Sequence, residues 1–220
     1  MHPLQTSTDR RGVVAVEFAL VAPLLVCLAI GFYDLVVGTT IWWHLTEAAN
    51  AAGQIAANSA AQPNQTNSLT KTQAYAASTA IYALLQQLAS NTAPAFGVVL
   101  TSVVFTPTVS GCTSSCTYTA AVAWSHTLVG SAAARACGAL TSAADSVAPS
   151  ANTLPADAFS PAPLLVVDVS FTYQPLFTTY IKTAIQMART AYLPLRTGDN
   201  TQWVRYSDPT TAAPMCSGYS

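Results

Sequence analysis

Glu17 places a carboxylate inside a long apolar run near the N-terminus, which is otherwise interrupted only by Tyr33 and Asp34 near its far end, and Gly12 stands five residues before Glu17. A charged side chain at the centre of a bilayer costs roughly 2.5–3.5 kcal/mol unless it finds a partner. A cut after Gly12 would place a new α-ammonium group on Val13, four residues from Glu17. The chemistry that this spacing allows is charge pairing, within one chain or between neighbouring helices.

Four of the five cysteines lie in the part of the chain that we expect outside the cytoplasm, where disulfides persist. They allow three pairings. We favour Cys112 with Cys116, across a hairpin turn. We also favour Cys137 with Cys216, which would tie the C-terminal tail to a long loop. A zinc site is the alternative, but the spacing lacks a second tight pair and no histidine is close in sequence. Cys27 lies in the apolar run and is interpreted as a small packing residue.

The other polar residues form no catalytic pattern. Ser142, Asp145 and Ser146 lie in loop-like sequence without a nucleophile elbow. His126 falls on the apolar face of a predicted strand, and His44 follows two tryptophans, so neither is expected to be a ligand. We predict no enzyme activity, no cofactor and no metal. The eight basic residues are scattered and matched by nine acidic ones, which argues against nucleic acid as a partner.

The apolar run covers residues 13–37 and predicts one membrane-spanning helix. At about 1.5 Å per residue it is roughly 37 Å long, enough to cross a hydrocarbon core of about 30 Å with some tilt. Arg10 and Arg11 would hold its start in the cytoplasm, and Trp42 and Trp43 would lie near the opposite interface. The alternative of a cleaved secretory signal fits less well, because the run is long, holds a carboxylate and precedes no A-x-A site. A twin-arginine export signal is also a poor match at the flanking residues.

The same helix is predicted to continue beyond the membrane to about residue 58. Its outer part has apolar residues at spacings of four and three, which form a stripe on one face: Ile41, Leu45, Ala48, Ala52 and Ile55. The many alanines favour helix, and Gly53 is the weak point. The alternative is a short membrane helix followed by a separate one.

Residues 64–220 are predicted to form an outward-facing domain. A second helix is expected over 69–90, capped by Asn67 or Ser68. A long surface loop, rich in Ala, Ser and Pro and with one helical turn, is expected over 130–163, and a short helix over 176–186.

Strands are indicated by apolar runs and by alternation over 98–105, 118–128 and 164–173. Alternation in the second of these places Val122, Trp124 and His126 on one face. A closing hairpin is predicted from 188–196 and 201–206. The predicted class is α+β, with a long N-terminal transmembrane helix and a second helix on a mostly antiparallel sheet of four to five strands.

The N-terminal segment resembles the type IV pilins and pseudopilins that prepilin peptidase cuts after a glycine. Three short stretches, Arg11-Gly12, Val16 to Leu20 and Pro23-Leu24-Leu25, narrow the resemblance to the TadE-like pseudopilins of tight-adherence (Flp-type) pilus systems. Asn50-Ala51-Ala52 and the late strand VVDVSFTYQPLF are also similar. The resemblance is specific over about residues 10–60. The 130–163 segment and the C-terminal cysteine segment depart from the family pattern.

The resemblance implies a pilin-like fold, with residues 1–12 as a cleaved leader, Gly12 and Val13 as the scissile pair, and Glu17 as the assembly residue. It implies four kinds of partner: prepilin peptidase, other pilin or pseudopilin subunits, an inner-membrane pilus assembly platform and the lipid bilayer. The expected location is the bacterial inner membrane, with a single pass and a periplasmic C-terminal domain, from which the subunit enters a pilus. The alternative function is an unprocessed, membrane-anchored adhesin or binding module.

Overall fold

The computed structural model describes residues 10–61, 68–86, 96–144, 147, 150–175, 183–195, 203–208 and 215–219. Its two helices are α1 (Arg10–Ala60) and α2 (Lys71–Gln86). Its strands are β1 (Ser68–Thr70), β2 (Phe96–Pro107), β3 (Tyr118–Val129), β4 (Ala139–Ala143), β5 (Thr153–Pro155), β6 (Leu164–Tyr173), β7 (Ile185–Pro194) and β8 (Arg205–Ser207). A single 3-10 turn, Ala156–Ala158, follows β5.

Helix α1 is one continuous helix of 51 residues, as predicted to within three residues at each end. Pro23 lies inside it. A proline removes one backbone donor from a helix, and this is tolerated in apolar membrane helices when nearby groups re-satisfy the freed carbonyl. Because α1 is unbroken, the alternative of a short membrane helix followed by a separate helix is wrong.

Helix α2 begins at a capping box formed by Thr70 and Gln73. The Gln73 backbone N–H donates to the Thr70 hydroxyl oxygen at 3.3 Å, and the Thr70 N–H donates to Gln73 Oε1 at 2.8 Å. These bonds satisfy donors that the helix start leaves open. Ser68, one of the two predicted caps, lies in β1 instead, and the other, Asn67, lies outside the described residues. The predicted end at 87–90 also lies outside them.

The main sheet has six strands in the order β5-β4-β3-β2-β6-β7, and β1 and β8 form a separate parallel pair. The α+β class and the mostly antiparallel pairing are confirmed, whereas the predicted number of strands is too low. Strand β6 has the predicted bounds, and β2 and β3 form the predicted hairpin. Apolar, β-branched runs of this kind suit strands that are buried on both faces.

A β-bulge at Ala123 changes which residues of β3 share a face. Ser102 pairs with Trp124, but Val103 pairs with Val122, so Ala123 is an extra residue. Trp124 consequently packs in the core beneath the helices, and Val122 packs in the core on the opposite face. The prediction that these two side chains lie on one face is wrong, because one inserted residue reverses the alternation.

The 130–163 segment is not the predicted loop throughout, since it contains strands β4 and β5, while its 3-10 turn agrees with the one helical turn predicted there. Arg135 holds it on the outer face of the sheet, where its Nε and Nη2 donate to the Asp168 carboxylate at 2.7 and 2.9 Å. Its Nη1 donates to the carbonyl oxygens of Ser150 and Ala151. Leu154 is fully buried beneath this layer. A bidentate ion pair between residues far apart in sequence leaves no local pattern that predicts it.

Two predictions near the C-terminus are corrected. Ile185 and Gln186, predicted to end a helix, begin strand β7 instead, while residues 176–182 lie outside the described residues. Strand β8 pairs in parallel with β1, not with β7. The predicted turn at 197–200 lies outside the described residues.

Two apolar cores result from this arrangement. The larger core lies between the helices and one face of the sheet, and it includes Leu45, Ile81 and Trp124. The smaller core lies on the other face, beneath β4 and β5. Helix α1 packs against α2, β6 and β7 from about Asp34 onward, so most of its first half projects beyond the domain.

Candidate functional site: the exposed half of helix α1

The first half of α1 is an apolar rod with its side chains exposed around it. Among its most exposed residues are Leu20 (77%), Phe18 (68%) and Phe32 (67%). Of the described helices, one is long and apolar enough to cross a membrane, and none of its most apolar window, of mean hydropathy 2.4, is buried. A continuous exposed apolar surface of this kind requires lipid or protein around it. The segment can therefore serve as a single membrane span or a signal anchor.

Glu17 lies on this rod with its side chain exposed. Gly12 and Val13 lie in the first turn of the helix, and residues 1–9 lie outside the described residues. In a helix, Val13 and Glu17 are one turn apart and on the same side, about 6 Å along the axis. A chain beginning at Val13 would bring both its ammonium group and the positive end of the helix dipole close to Glu17.

A hydrogen bond joins the end of the rod to the domain. The Tyr173 hydroxyl donates to Asp34 Oδ1 at 2.9 Å, and Tyr173 is the last residue of β6. Burial, with the Asp34 carboxylate beside it, raises the pKa of Tyr173 to about 12. This contact was not predicted from the sequence. The signal available was a second acidic residue, Asp34, within the apolar run.

The two tryptophans beyond this junction differ in their surroundings. The Arg189 guanidinium of β7 lies over the Trp42 ring, 3.6 Å from its centroid. Trp43 is 68% exposed, and its indole N–H donates to Glu47 Oε1 at 3.0 Å. Trp42 thus binds the domain, while Trp43 is the residue free to occupy an interfacial belt. His44 Nδ1 lies 3.4 Å from Glu47 Oε2 on the same helix.

The second half of α1 carries the small-residue face. Ala48, Ala52 and Ala56 are each at most 1% exposed, whereas Ile55, predicted on this stripe, is 37% exposed. A Cβ at Gly53 would overlap the Leu193 side chain, so glycine permits the close approach of β7 here. The alanine face is covered by the chain's own domain. It cannot also serve the contacts between subunits that small residues allow.

The cysteines pair as predicted. Cys112 is bonded to Cys116 at the β2–β3 turn, and Cys137 is bonded to Cys216. The Cys216 N–H also donates to the Ala123 carbonyl at 2.8 Å, so the C-terminal tail lies along β3. Cys27 is exposed on the rod and does not have the packing role predicted for it within this chain.

The remaining polar candidates that the structure describes do not converge on a catalytic arrangement. His126 lies against the Tyr206 ring, 5.2 Å between centroids, and burial and nearby Lys71 lower its pKa. Lys71 Nζ lies 3.0 Å from Asp208 Oδ2. Ser142 lies in β4, and Asp145 and Ser146 lie outside the described residues. Within the described ranges, no three His, Cys, Asp or Glu side chains are grouped as metal ligands.

Comparison with known proteins identifies no relative, since no family model, no curated protein and no solved structure matches this chain.

Proposed function

We propose that this chain is a minor pilin or pseudopilin of a tight-adherence (Flp-type) pilus or its secretion apparatus. The observation that supports this most is the form of α1. One unbroken helix has a first half that is apolar and exposed and a second half packed on a folded domain. Glu17 lies in the first half, five residues after Gly12. Such a subunit can move from lipid into a helical assembly without refolding its domain.

In this proposal, prepilin peptidase removes residues 1–12 and leaves an ammonium group on Val13. Glu17 then pairs with that group, either in its own helix or in a neighbouring subunit. Pairing lowers the cost of a carboxylate in an apolar environment and favours one axial position of each helix relative to its neighbour. The proposed partners are the peptidase, other pilin or pseudopilin subunits and an inner-membrane assembly platform. The role of Glu17 is positional.

The test of this mechanism is Glu17→Gln, which keeps the shape of the side chain and removes its charge. Glu47→Gln is the matched control, because Glu47 lies on the same helix with an exposed side chain beside the folded domain. We expect filaments per cell to fall at least about tenfold for Glu17→Gln, which corresponds to about 1.4 kcal/mol. The amount of membrane-bound protein should not change, and the control should assemble normally. Normal assembly of the Glu17 variant would exclude the pairing mechanism.

The alternative is a membrane-anchored adhesin or binding module that is never processed. The observation that favours it is the outer edge of β7, with which no described strand pairs. Gly12→Leu separates the two functions, with Gly31→Leu as a control at an exposed glycine of the same rod. A pilin should accumulate as the full-length precursor in the first variant only. A permanently anchored module should have the same length in both variants and in the wild type.

A further inference from the structure

The outer edge of β7 lies between two cavities at residues 192–194. One cavity, of about 380 Å³, lies between α1 and this edge, and we call it the α1 cavity. The other, of about 320 Å³, lies beside the 3-10 turn, and we call it the turn cavity. Tyr192 and Pro194 line both of them. The same two residues therefore separate two spaces large enough to receive side chains of a ligand.

Among the described residues, no backbone group pairs with the outer side of β7 at these positions. The Leu195 N–H donates to the Pro163 carbonyl at 3.0 Å, which makes these two residues a hydrogen-bonded pair. In an antiparallel ladder such pairs alternate with non-hydrogen-bonded ones. Tyr192, opposite Val166, and Pro194, opposite Leu164, are then non-hydrogen-bonded to β6. The Tyr192 N–H and both of their carbonyl groups consequently point away from the sheet.

Proline at position 194 agrees with this alternation of hydrogen-bonded and non-hydrogen-bonded pairs. An N–H at this position would face away from β6, so the proline costs the β6–β7 ladder no hydrogen bond. β7 is the last strand of the six-stranded sheet, and among the described strands none pairs with its outer edge. The open groups are spaced as another strand would require.

The two cavities differ in chemistry. Three carboxamides at four-residue spacing, Asn50, Gln54 and Asn58, line the α1 cavity, and no charged side chain occurs among its described lining residues. The turn cavity is mainly apolar, with Pro155, Ala158, Leu164 and Pro194, and it also includes Asp157 and Ser160. A carboxamide both donates and accepts hydrogen bonds, so the α1 cavity suits uncharged polar groups.

We propose that residues 192–194 of β7 bind an extended polypeptide segment as an additional strand of the sheet. Successive side chains of a strand point to opposite faces. Alternate side chains would therefore enter the α1 cavity, where hydroxyl or amide groups fit, and the turn cavity, where aliphatic groups fit. Backbone bonds to Tyr192 and Pro194 would supply affinity, and the cavities would supply selectivity. This binding site is independent of leader cleavage and of Glu17.

The test uses the full-length chain in detergent and a fluorescent peptide that alternates Val and Thr, with binding followed by anisotropy. Two further peptides carry N-methyl groups on either the Val or the Thr residues. Because only one set of amides can face β7, one N-methylated peptide should bind at least about tenfold more weakly, and the other should bind like the parent. If the two N-methylated peptides lost affinity equally, or if neither lost affinity, the proposal would be overturned.

Protein variants locate the site. Gln54→Trp should fill the α1 cavity and Asp157→Trp the turn cavity, each weakening peptide binding about tenfold or more. Ala76→Trp, at an exposed position on α2, is the matched control and should bind normally. Circular dichroism melting shows that each variant is folded. Absence of saturable binding by the wild type at about 1 mM peptide, or binding of a neutral oligosaccharide in place of the peptide, would also overturn the proposal.

Discussion

Residues 14–33 and 41–60 of helix α1 are both rich in apolar side chains, yet they are buried very differently. The first stretch carries large side chains, such as Phe18 and Leu20, around its circumference, and they are exposed. The second carries alanine on one face, buried on the domain, and amides such as Gln54 on another. Large side chains all round suit a lipid environment, while a small-residue face suits close packing against protein. Side-chain size and its distribution around the helix, more than average hydropathy, distinguish the two halves.

Among matched substitutions in the rod and in the domain, the cysteines are expected to differ most in their effect on the free energy of unfolding. Cys216→Ser opens the bridge to Cys137, which spans 79 residues, and should lower the free energy of unfolding by about 4 kcal/mol. Cys27→Ser on the rod should change it by less than about 0.5 kcal/mol. Urea unfolding of the full-length protein in detergent, followed by tryptophan fluorescence, measures both. A similar loss from the two variants would mean that the rod also belongs to the folded core.

The helix itself allows a closer comparison with leucine. Leu45 is fully buried, so Leu45→Ala should destabilise the domain by about 3 kcal/mol through lost burial and a residual cavity. Leu28 is 51% exposed on the rod, and Leu28→Ala should cost less than about 0.5 kcal/mol. The same urea experiment applies. If Leu28→Ala were as costly as Leu45→Ala, the division of α1 into two halves would be wrong.

The junction between the halves depends on Tyr173. Tyr173→Phe removes its hydrogen bond to Asp34 and should cost about 1 kcal/mol near neutral pH. Tyr82→Phe, at a position 40% exposed on α2, is the control and should have little effect. Equal stability of the Tyr173 variant and the wild type would show that this bond does not fix the rod to the domain.

The junction also has a defined pH dependence. The pKa of Tyr173 is raised from 10.0 to about 12, so the folded state holds its proton more tightly than the unfolded state. The contribution of Tyr173 to the free energy of unfolding is complete below pH 10 and is lost as the pH rises towards 12. Tyr206, whose pKa burial also raises to about 12, acts over the same window. Tyr173→Phe should therefore reduce, without abolishing, the loss of stability between these pH values.

The smallest effect on the free energy of unfolding is expected from substitution of Arg189, whose guanidinium lies over Trp42. Arg189→Gln should cost about 0.5–1 kcal/mol. Arg205 lies farther from its aromatic partner Trp203, at 5.9 Å, and Arg205→Gln should cost less. Trp42 fluorescence should shift in the first variant only. An unchanged spectrum would show that the stacking is not maintained in solution.

Local patterns predicted the elements whose apolar or helix-forming sequence is unbroken along their length. The unbroken apolar and alanine-rich sequence predicted α1, and the apolar run of β6 predicted both of its ends. The cysteine pairs were also predicted, since one pair is close in sequence across a hairpin turn and the other then follows.

Features that depend on distant partners were not predictable. The bulge at Ala123 is one inserted residue that periodicity does not reveal. Strands β4 and β5 depend on Arg135 reaching Asp168, and β8 pairs with β1 across more than half the chain. At the candidate site, Glu17 was noticed because a charge in an apolar run is costly. Tyr173 and Arg189 were missed because only the fold brings them to α1.

The measurement that tests the central proposal most directly is the intact mass of the protein isolated from membranes of cells that carry the native system. A processed pilin should begin at Val13 and lack residues 1–12, and Gly12→Leu should restore the full-length mass. A wild-type chain that retains Met1 would contradict the proposal. The exposed half of α1 would then be a permanent anchor for a binding domain.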